Sequence, residues 1–162
     1  MSFSIRTYQP ADFEILLALM AKFNSFIESI DDMHRTKYNP ESARYFVKRM
    51  IELCQTKQGR ILVGCADHTV IGFISGYVDM QDEDELMEAV PAVPGVVGEF
   101  FIDQEHRGKS YGKQLLQEME LYLQSKGCTI IRFAVFAPNT DAHEFYKHAG
   151  YRDRMTYVSK DL

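Results

Sequence analysis

An α/β fold follows from two patterns in this chain of 162 residues. Residues 60–66 (RILVGCA) and 70–78 (VIGFISGYV) are two β-prone runs joined by Asp67-His68-Thr69, the signature of an antiparallel hairpin. Further on, an apolar run holding Phe100, Phe101 and Ile102 leads through a polar turn into a helical stripe of Leu115, Leu116, Met119, Tyr122 and Leu123. Residues 129–136 (TIIRFAVF) then supply another strand of high β-propensity. Strand, helix and strand in that order make a βαβ unit. A hairpin plus a βαβ unit calls for a sheet of mixed direction.

Length and composition bound the answer. One domain, residues 1–162, is expected, and a chain of this size buries a real core. With 12% aromatic residues it is not a disordered sequence. A net charge of −5 argues against general nucleic-acid binding, which needs basic patches. No apolar run approaches the roughly 18 residues of a membrane span, and the polar start Met1-Ser2-Phe3-Ser4 shows no signal peptide. Cys54, Cys65 and Cys128 are odd in number and lack CxxC spacing, so they read as reduced core thiols of a cytoplasmic protein. No metal site emerges.

From the start of the chain, residues 4–8 form a first short strand, and Pro10 near the first turn opens a helix. Phe13, Leu16, Leu17, Met20, Phe23 and Ile27 are its apolar stripe. Asn39-Pro40 marks the entry of a second helix, residues 41–55, with Ala43, Phe46, Val47, Met50, Ile51 and Cys54 on one face. After the hairpin, Asp79, Asp82, Glu83, Asp84, Glu85 and Glu88 crowd into ten residues, followed by Pro91 and Pro94. This stretch reads first as a solvated loop, a reading compatible with an acidic wall that would steer a cation. Gly127 ends the helix of the βαβ unit, Asn139 or Thr140 caps a last short helix closed by Gly150, and residues 154–158 are expected as a closing strand.

The chemistry concentrates in the turn between the strand at Phe101 and the helix after it. First-turn N–H groups of a helix lack intrahelical partners, and the helix dipole turns its positive end toward them. Gly108 and Gly112 allow an anion to approach the backbone, and Arg107, Lys109 and Lys113 add positive charge. A diphosphate fits such a device. Neither a Walker A loop nor a GxGxxG fingerprint is present.

The run Phe100-Phe101-Ile102-Asp103-x-x-x-Arg107-Gly108-Lys109-x-Tyr111-Gly112 resembles motif A of the GCN5-related N-acetyltransferases, with Ser110 where the middle glycine is usual. A second segment, with Asn139, Ala142, Phe145, Tyr146, Gly150 and Tyr151 at matching spacing, resembles motif B of the same family. The resemblance is sharp over residues 97–151 and rests on element order before that. It implies a mixed, mostly antiparallel sheet with helices on both faces, whose fourth and fifth strands run parallel and splay apart to admit the cofactor.

It also implies acetyl-CoA as cosubstrate. The backbone of Phe100, Phe101 and Ile102 would pair with the pantetheine arm, and the main-chain amides of Arg107, Gly108, Lys109, Ser110, Tyr111, Gly112 and Lys113 would hold the pyrophosphate. Asn139 and Ala142 would contact the cofactor arm. Tyr146 stands where many members place the acid that protonates the departing thiolate, and Glu99 where several carry a carboxylate base. Phe23, Phe26, His34 and Tyr38 are candidate walls of the acceptor pocket, with core packing the favoured alternative for each aromatic, and a homodimeric assembly is expected. His106, His143 and His148 show no catalytic spacing.

Amine acylation needs a neutral nucleophile, a donor for the oxyanion and a proton for the leaving thiolate. The resulting expectation is an N-acetyltransferase acting by direct transfer on a primary amine of a cationic small molecule. A protein or peptide acceptor is the alternative within the class, and a non-catalytic CoA-binding regulatory domain the alternative outside it.

Overall fold

A computed structural model describes residues 2–162. Five strands, β1 (Phe3–Thr7), β2 (Arg60–Ala66), β3 (Thr69–Val78), β4 (Pro94–Ile102) and β5 (Ile130–Arg132), form one sheet in the order β1-β2-β3-β4-β5. Every neighbouring pair is antiparallel except β4 and β5, which run parallel. The mixed, mostly antiparallel sheet expected from the sequence is the one observed. Asp67 (φ 45°) and His68 (φ 70°) both sit in the left-handed region, as a two-residue hairpin turn demands. Thr69, expected in the turn, is therefore the first residue of β3.

Alternation along the strands sends side chains to two separate cores. On one face, helices α1 (Phe13–Ser29) and α2 (Pro40–Thr56) bring Leu16, Met20 and Val47 against Val63, Phe73 and Phe101. On the other, α4 (Tyr111–Ser125) lays Leu115, Leu116, Met119 and Leu123 on Leu62, Ile74, Val97 and Ile102. The short α5 (Thr140–His148) adds Phe145 and Tyr146 to this second core. Each fully buried leucine contributes about 2 kcal/mol of burial. Two glycines make the close approaches possible. A Cβ on Gly72 would stand 2.6 Å from the Phe101 carbonyl, and one on Gly76 would stand 2.5 Å from the Met119 sulfur.

Three expectations are corrected. The acidic stretch after β3 is not all loop, because α3 (Glu83–Glu88) forms within it. Asp82 caps this helix by accepting from the Glu85 N–H at 2.8 Å. Two of its acids are neutralised in place: Asp79 pairs with Lys57 at 2.7 Å and with Arg132 at 3.4 Å, and Glu85 pairs with Arg132. The strand expected over residues 129–136 pairs only through Ile130–Arg132. Beyond it β4 diverges, and Phe133 turns into an aromatic cluster with Tyr146 and Tyr151 instead of a ladder. The closing strand expected over residues 154–158 is absent; Met155, Tyr157 and Val158 lie exposed without a sheet partner.

Among the described residues no helix is long and apolar enough to cross a membrane. The three cysteines are free thiols. Cys54 lies against the Gly76 carbonyl at 3.7 Å, and burial pushes its thiol up to about 12.

Candidate active site

The site begins where the parallel pair comes apart. β4 and β5 are in register at Pro94↔Ile130, Gly95↔Ile131 and Val96↔Arg132, and no further. From Val97 to Ile102 the β5-side edge of β4 therefore has no strand partner, and its outward backbone groups need one from elsewhere.

On its other edge β4 carries a bulge. Ile74 pairs with Phe100 and Gly76 with Val97, so Ser75 alone opposes both Gly98 and Glu99. The buried Ser75 Oγ accepts the Glu99 N–H at 3.0 Å. A Cβ on Gly98 would meet that oxygen at 2.8 Å, which is why glycine stands there. The extra residue resets the alternation. Val97, Phe100 and Ile102 all pack on the α4 side, while Phe101 joins the α1–α2 core. Glu99, two residues before Phe101, shares that second face. Its carboxyl is half-buried and held above the ordinary value of 4.5 by desolvation. The Tyr38 phenol, in the α1–α2 linker, is raised first by its own burial and then by the charges of Glu99 and Glu28. Glu99 and Glu28 thus both lie within electrostatic reach of Tyr38.

Across the split, Tyr146 of α5 links the diverging strands. Its ring centroid is 4.3 Å from Phe133, beyond β5, and 6.5 Å from Phe100 of β4. Phe145 and Tyr151 complete the cluster, and the Tyr151 hydroxyl is fixed by donating to Glu120 at 2.6 Å. Burial among these rings raises the Tyr146 phenol well above its ordinary range, so it is fully protonated at neutral pH.

The turn between β4 and α4 has the form the sequence suggested, with corrections in detail. A 3-10 turn, Gln104–His106, precedes Arg107; Gly108 adopts φ 75° and Ser110 φ 61°. The helix starts at Tyr111, with left-handed Ser110 in the N-cap position. Ser110 makes no side-chain cap bond, and the first backbone bond of the helix runs from the Gln114 N–H to the Ser110 carbonyl at 3.1 Å. The amides of Tyr111, Gly112 and Lys113 precede it and have no intrahelical acceptor. No acidic residue stands in this first turn, and the Lys113 side chain is exposed beside it.

Individual side chains differ from expectation in where they point. Arg107 does not extend from the turn: its guanidinium lies over Phe26 (5.3 Å) and Phe101 (5.5 Å), and its Nε donates to the Ile102 carbonyl at 3.0 Å. The Tyr111 ring is buried in a stack on Phe3 at 4.2 Å, leaving only its amide for a ligand. A Cβ on Gly112 would make only ordinary contacts with Phe100, Ile102 and Phe145, and Gly108, with open space around it, is the glycine that leaves room at the turn. The Asn139 oxygen is spent capping α5 through the Ala142 N–H at 3.3 Å, so its NH2 group alone remains for a ligand.

A cleft of about 600 Å³ lies between α1 and the end of β4, walled by Lys22, Phe26 and Ser29 on one side and Phe101, Asp103 and Glu105 on the other. Phe26 is thus a wall residue. Phe23 instead packs on Phe101 at 5.6 Å, and His34 is exposed at φ 52°. Sequence reading missed Ser75 and Phe133. Gly98 inside a strand was the available signal for the bulge that Ser75 organises.

The split in the sheet and the cation-flanked start of α4 leave a strand edge and three helix amides open on the same side of the fold. The chain belongs to the acetyltransferase (GNAT) family, whose model matches residues 25–151. Over 72 residues it is 29% identical to the uncharacterized N-acetyltransferase YycN of Bacillus subtilis, a match spanning 44% of this chain and 46% of that protein. The chain therefore aligns with about half the length of that curated relative. Among solved structures, a transcriptional regulator from Bacillus halodurans superposes with a TM-score of 0.72 at 17% identity, covering 99% of this chain and 100% of that one. AAC(6')-Iy, in complex with the bisubstrate analogue CoA-S-monomethyl-acetylneamine, superposes with a TM-score of 0.70 at 15% identity over the full length of both chains. At such identities the structural likeness speaks for the fold.

Proposed function

We propose that the protein transfers the acetyl group of acetyl-CoA directly to a primary amine of a cationic small molecule. One observation carries this reading: the unfilled N-terminus of α4 opens beside the unpaired edge of β4, with Tyr146 bridging the same split. The amides of residues 111–113 and the cations around them would take the pyrophosphate. The free edge of β4, from Val97 to Ile102, would hydrogen-bond the pantetheine amides as a further strand would. Acetyl-CoA in this pose brings its thioester to the region of the bulge.

The chemistry then uses groups with opposed tasks. Glu99 accepts a proton from the acceptor ammonium, directly or through a water, and the raised affinity of its carboxyl for protons suits a base working near neutral pH. The neutral amine attacks the thioester carbon, forming the C–N bond, while a backbone N–H of β4 stabilises the oxyanion. Collapse breaks the C–S bond, and the Tyr146 hydroxyl donates its proton to the thiolate. The proton shed by the new amide nitrogen restores the phenol directly or through water, while Glu99 returns its proton to solvent. No acyl-enzyme is needed.

A cationic acceptor is supported by Glu99 and Glu28 around Tyr38 and by Glu105 on the cleft wall, where Asp103 is already paired with Lys22. AAC(6')-Iy, seen with a CoA–acetylneamine analogue, has the same fold. The test is thiol release from acetyl-CoA over a panel of amines, with Glu99→Gln and Tyr146→Phe alongside. Turnover with one class of polyvalent amine, lost in both variants, supports the reading. Tight acetyl-CoA binding without thiol release from any amine contradicts it.

A further inference from the structure

Helical spacing alone would put an apolar residue at position 24. Leu16, Met20 and Asn24 follow one another on α1 at four-residue steps, and the first two are fully buried in the core that α1 forms with α2 and the sheet. Asn24 is only 3% exposed, and its buried Nδ2 donates to nothing among the described residues. A buried amide without a partner is costly, and an apolar side chain of similar shape removes that cost. The fold by itself would be better served by leucine.

The neighbours of this amide point to its use. Phe23, the residue before it, packs on Phe101 at 5.6 Å, and Phe101 shares its face of β4 with Glu99. Glu28, one turn after it, lies with Glu99 within electrostatic reach of the Tyr38 phenol. Asn24 therefore stands on α1 between two positions that both approach the Glu99 side of β4. The half-buried Glu99 carboxyl, for its part, accepts no hydrogen bond among the described residues. A donor without an acceptor and a carboxylate without a donor are complementary, and one water can serve both.

We propose that the Asn24 Nδ2 and the Glu99 carboxyl hold one water between them, and that Glu99 works as a base through that water. The water oxygen accepts from Nδ2 and keeps its second lone pair for the acceptor ammonium. As the ammonium N–H bond breaks, its proton passes to the water oxygen and a water proton passes to Glu99, so the water is left unchanged. Asn24 is thus a positioning residue. The use of Glu99 as base rests on the acetyl-transfer reading; the shared water does not.

The test reads the water with and without substrate. Titration of the Glu99 carboxyl by carbon NMR of glutamate-labelled protein, with its resonance assigned through Glu99→Gln, needs no acetyl-CoA. Tyr38 of the linker and Glu28 of α1 are the titratable groups on this side, and both stay in place in the variants. Asn24→Leu is expected to be as stable as the wild type or more so. It should move the Glu99 titration up by about half a pH unit or more, because the carboxylate loses a donor. It should also lower kcat about tenfold or more, with acetyl-CoA affinity unchanged. Asn24→Ala removes the donor without bulk and should do the same, while Asn24→Ser, which keeps a donor, should recover most of both effects. An unmoved titration in the Leu and Ala variants overturns the proposal, as does a kcat that they leave intact or lower only in step with stability. If the wild type acetylates no amine, the acetyl-transfer reading fails on its own, and the titration alone decides the link between Asn24 and Glu99.

Discussion

Helices α3 and α4 both follow a turn in the same sheet, yet their N-termini are built for opposite ends. α3 fills its own. Asp82 caps it, and its first turn is Glu83-Asp84-Glu85, so the dipole and the free amides are satisfied by the chain. α4 leaves its own empty. Ser110 sits in a left-handed conformation without a cap bond, no acid follows, and the nearby side chains include Arg107, Lys109 and Lys113. A helix start becomes an anion site when the sequence withholds what would otherwise occupy it. That is a negative feature, read from residues missing at the cap as much as from glycines present.

Separating binding from chemistry sharpens this contrast most. Tyr146→Phe should lower kcat about 10²-fold or more while leaving acetyl-CoA affinity unchanged, because the acid acts on the thiolate and the α4 end holds the diphosphate. Steady-state kinetics with calorimetry checks the split. Glu99→Gln should act on the same scale and also change the pH profile. In the wild type the rate should rise through a pKa above 4.5, since burial raises the Glu99 carboxyl and only the ionised form is a base. That limb should vanish in the variant. The same shift has a stability sign. A carboxyl whose folded pKa is raised contributes stability below its unfolded pKa and loses it as pH rises through the folded one, so Glu99→Gln should stabilise the fold at neutral pH.

Giving α4 the endowment of α3 breaks the contrast directly. Ser110→Asp combined with Lys113→Glu should weaken acetyl-CoA binding about tenfold or more, with the fold intact by circular dichroism. Arg107→Met should cost less, about threefold in affinity and about 1 kcal/mol in stability, since its guanidinium packs on Phe26 and Phe101 rather than reaching for a ligand. The smallest effects come from the caps alone. Asp82→Ala should destabilise by about 1 kcal/mol with no effect on binding. Ser110→Gly should be neutral or stabilising by up to about 1 kcal/mol, because relief of a left-handed serine is partly offset by the greater freedom of glycine in the unfolded chain. Chemical denaturation reads both.

Much of this was legible in the sequence. The β2–β3 hairpin, the two N-terminal helices and the strand–turn–helix around Gly108 follow from local pattern, and local pattern is what sequence carries best. The features that escaped depend on contacts between distant elements. The bulge at Gly98 exists because Ser75, more than twenty residues earlier, accepts the Glu99 N–H, and it decides which face Glu99 takes. The shortness of β5 reflects Tyr146 and Tyr151 drawing Phe133 out of the ladder, although residues 129–136 have high β-propensity. Arg107 reads as an anion ligand by position, but its side chain answers to Phe26 on α1, which no local spacing reveals. The acidic run after β3 reads as uniform, and only Arg132 and Lys57 distinguish the acids that hold the loop from those left outside.

The most direct measurement compares the thermal shift produced by acetyl-CoA with that produced by acetyl-pantetheine, which carries the same thioester arm without the diphosphate. If the open start of α4 is a diphosphate site, acetyl-CoA should raise Tm clearly at a concentration where acetyl-pantetheine raises it little, and Ser110→Asp with Lys113→Glu should erase the difference. Equal shifts from the two ligands, or no shift from acetyl-CoA, would contradict the account.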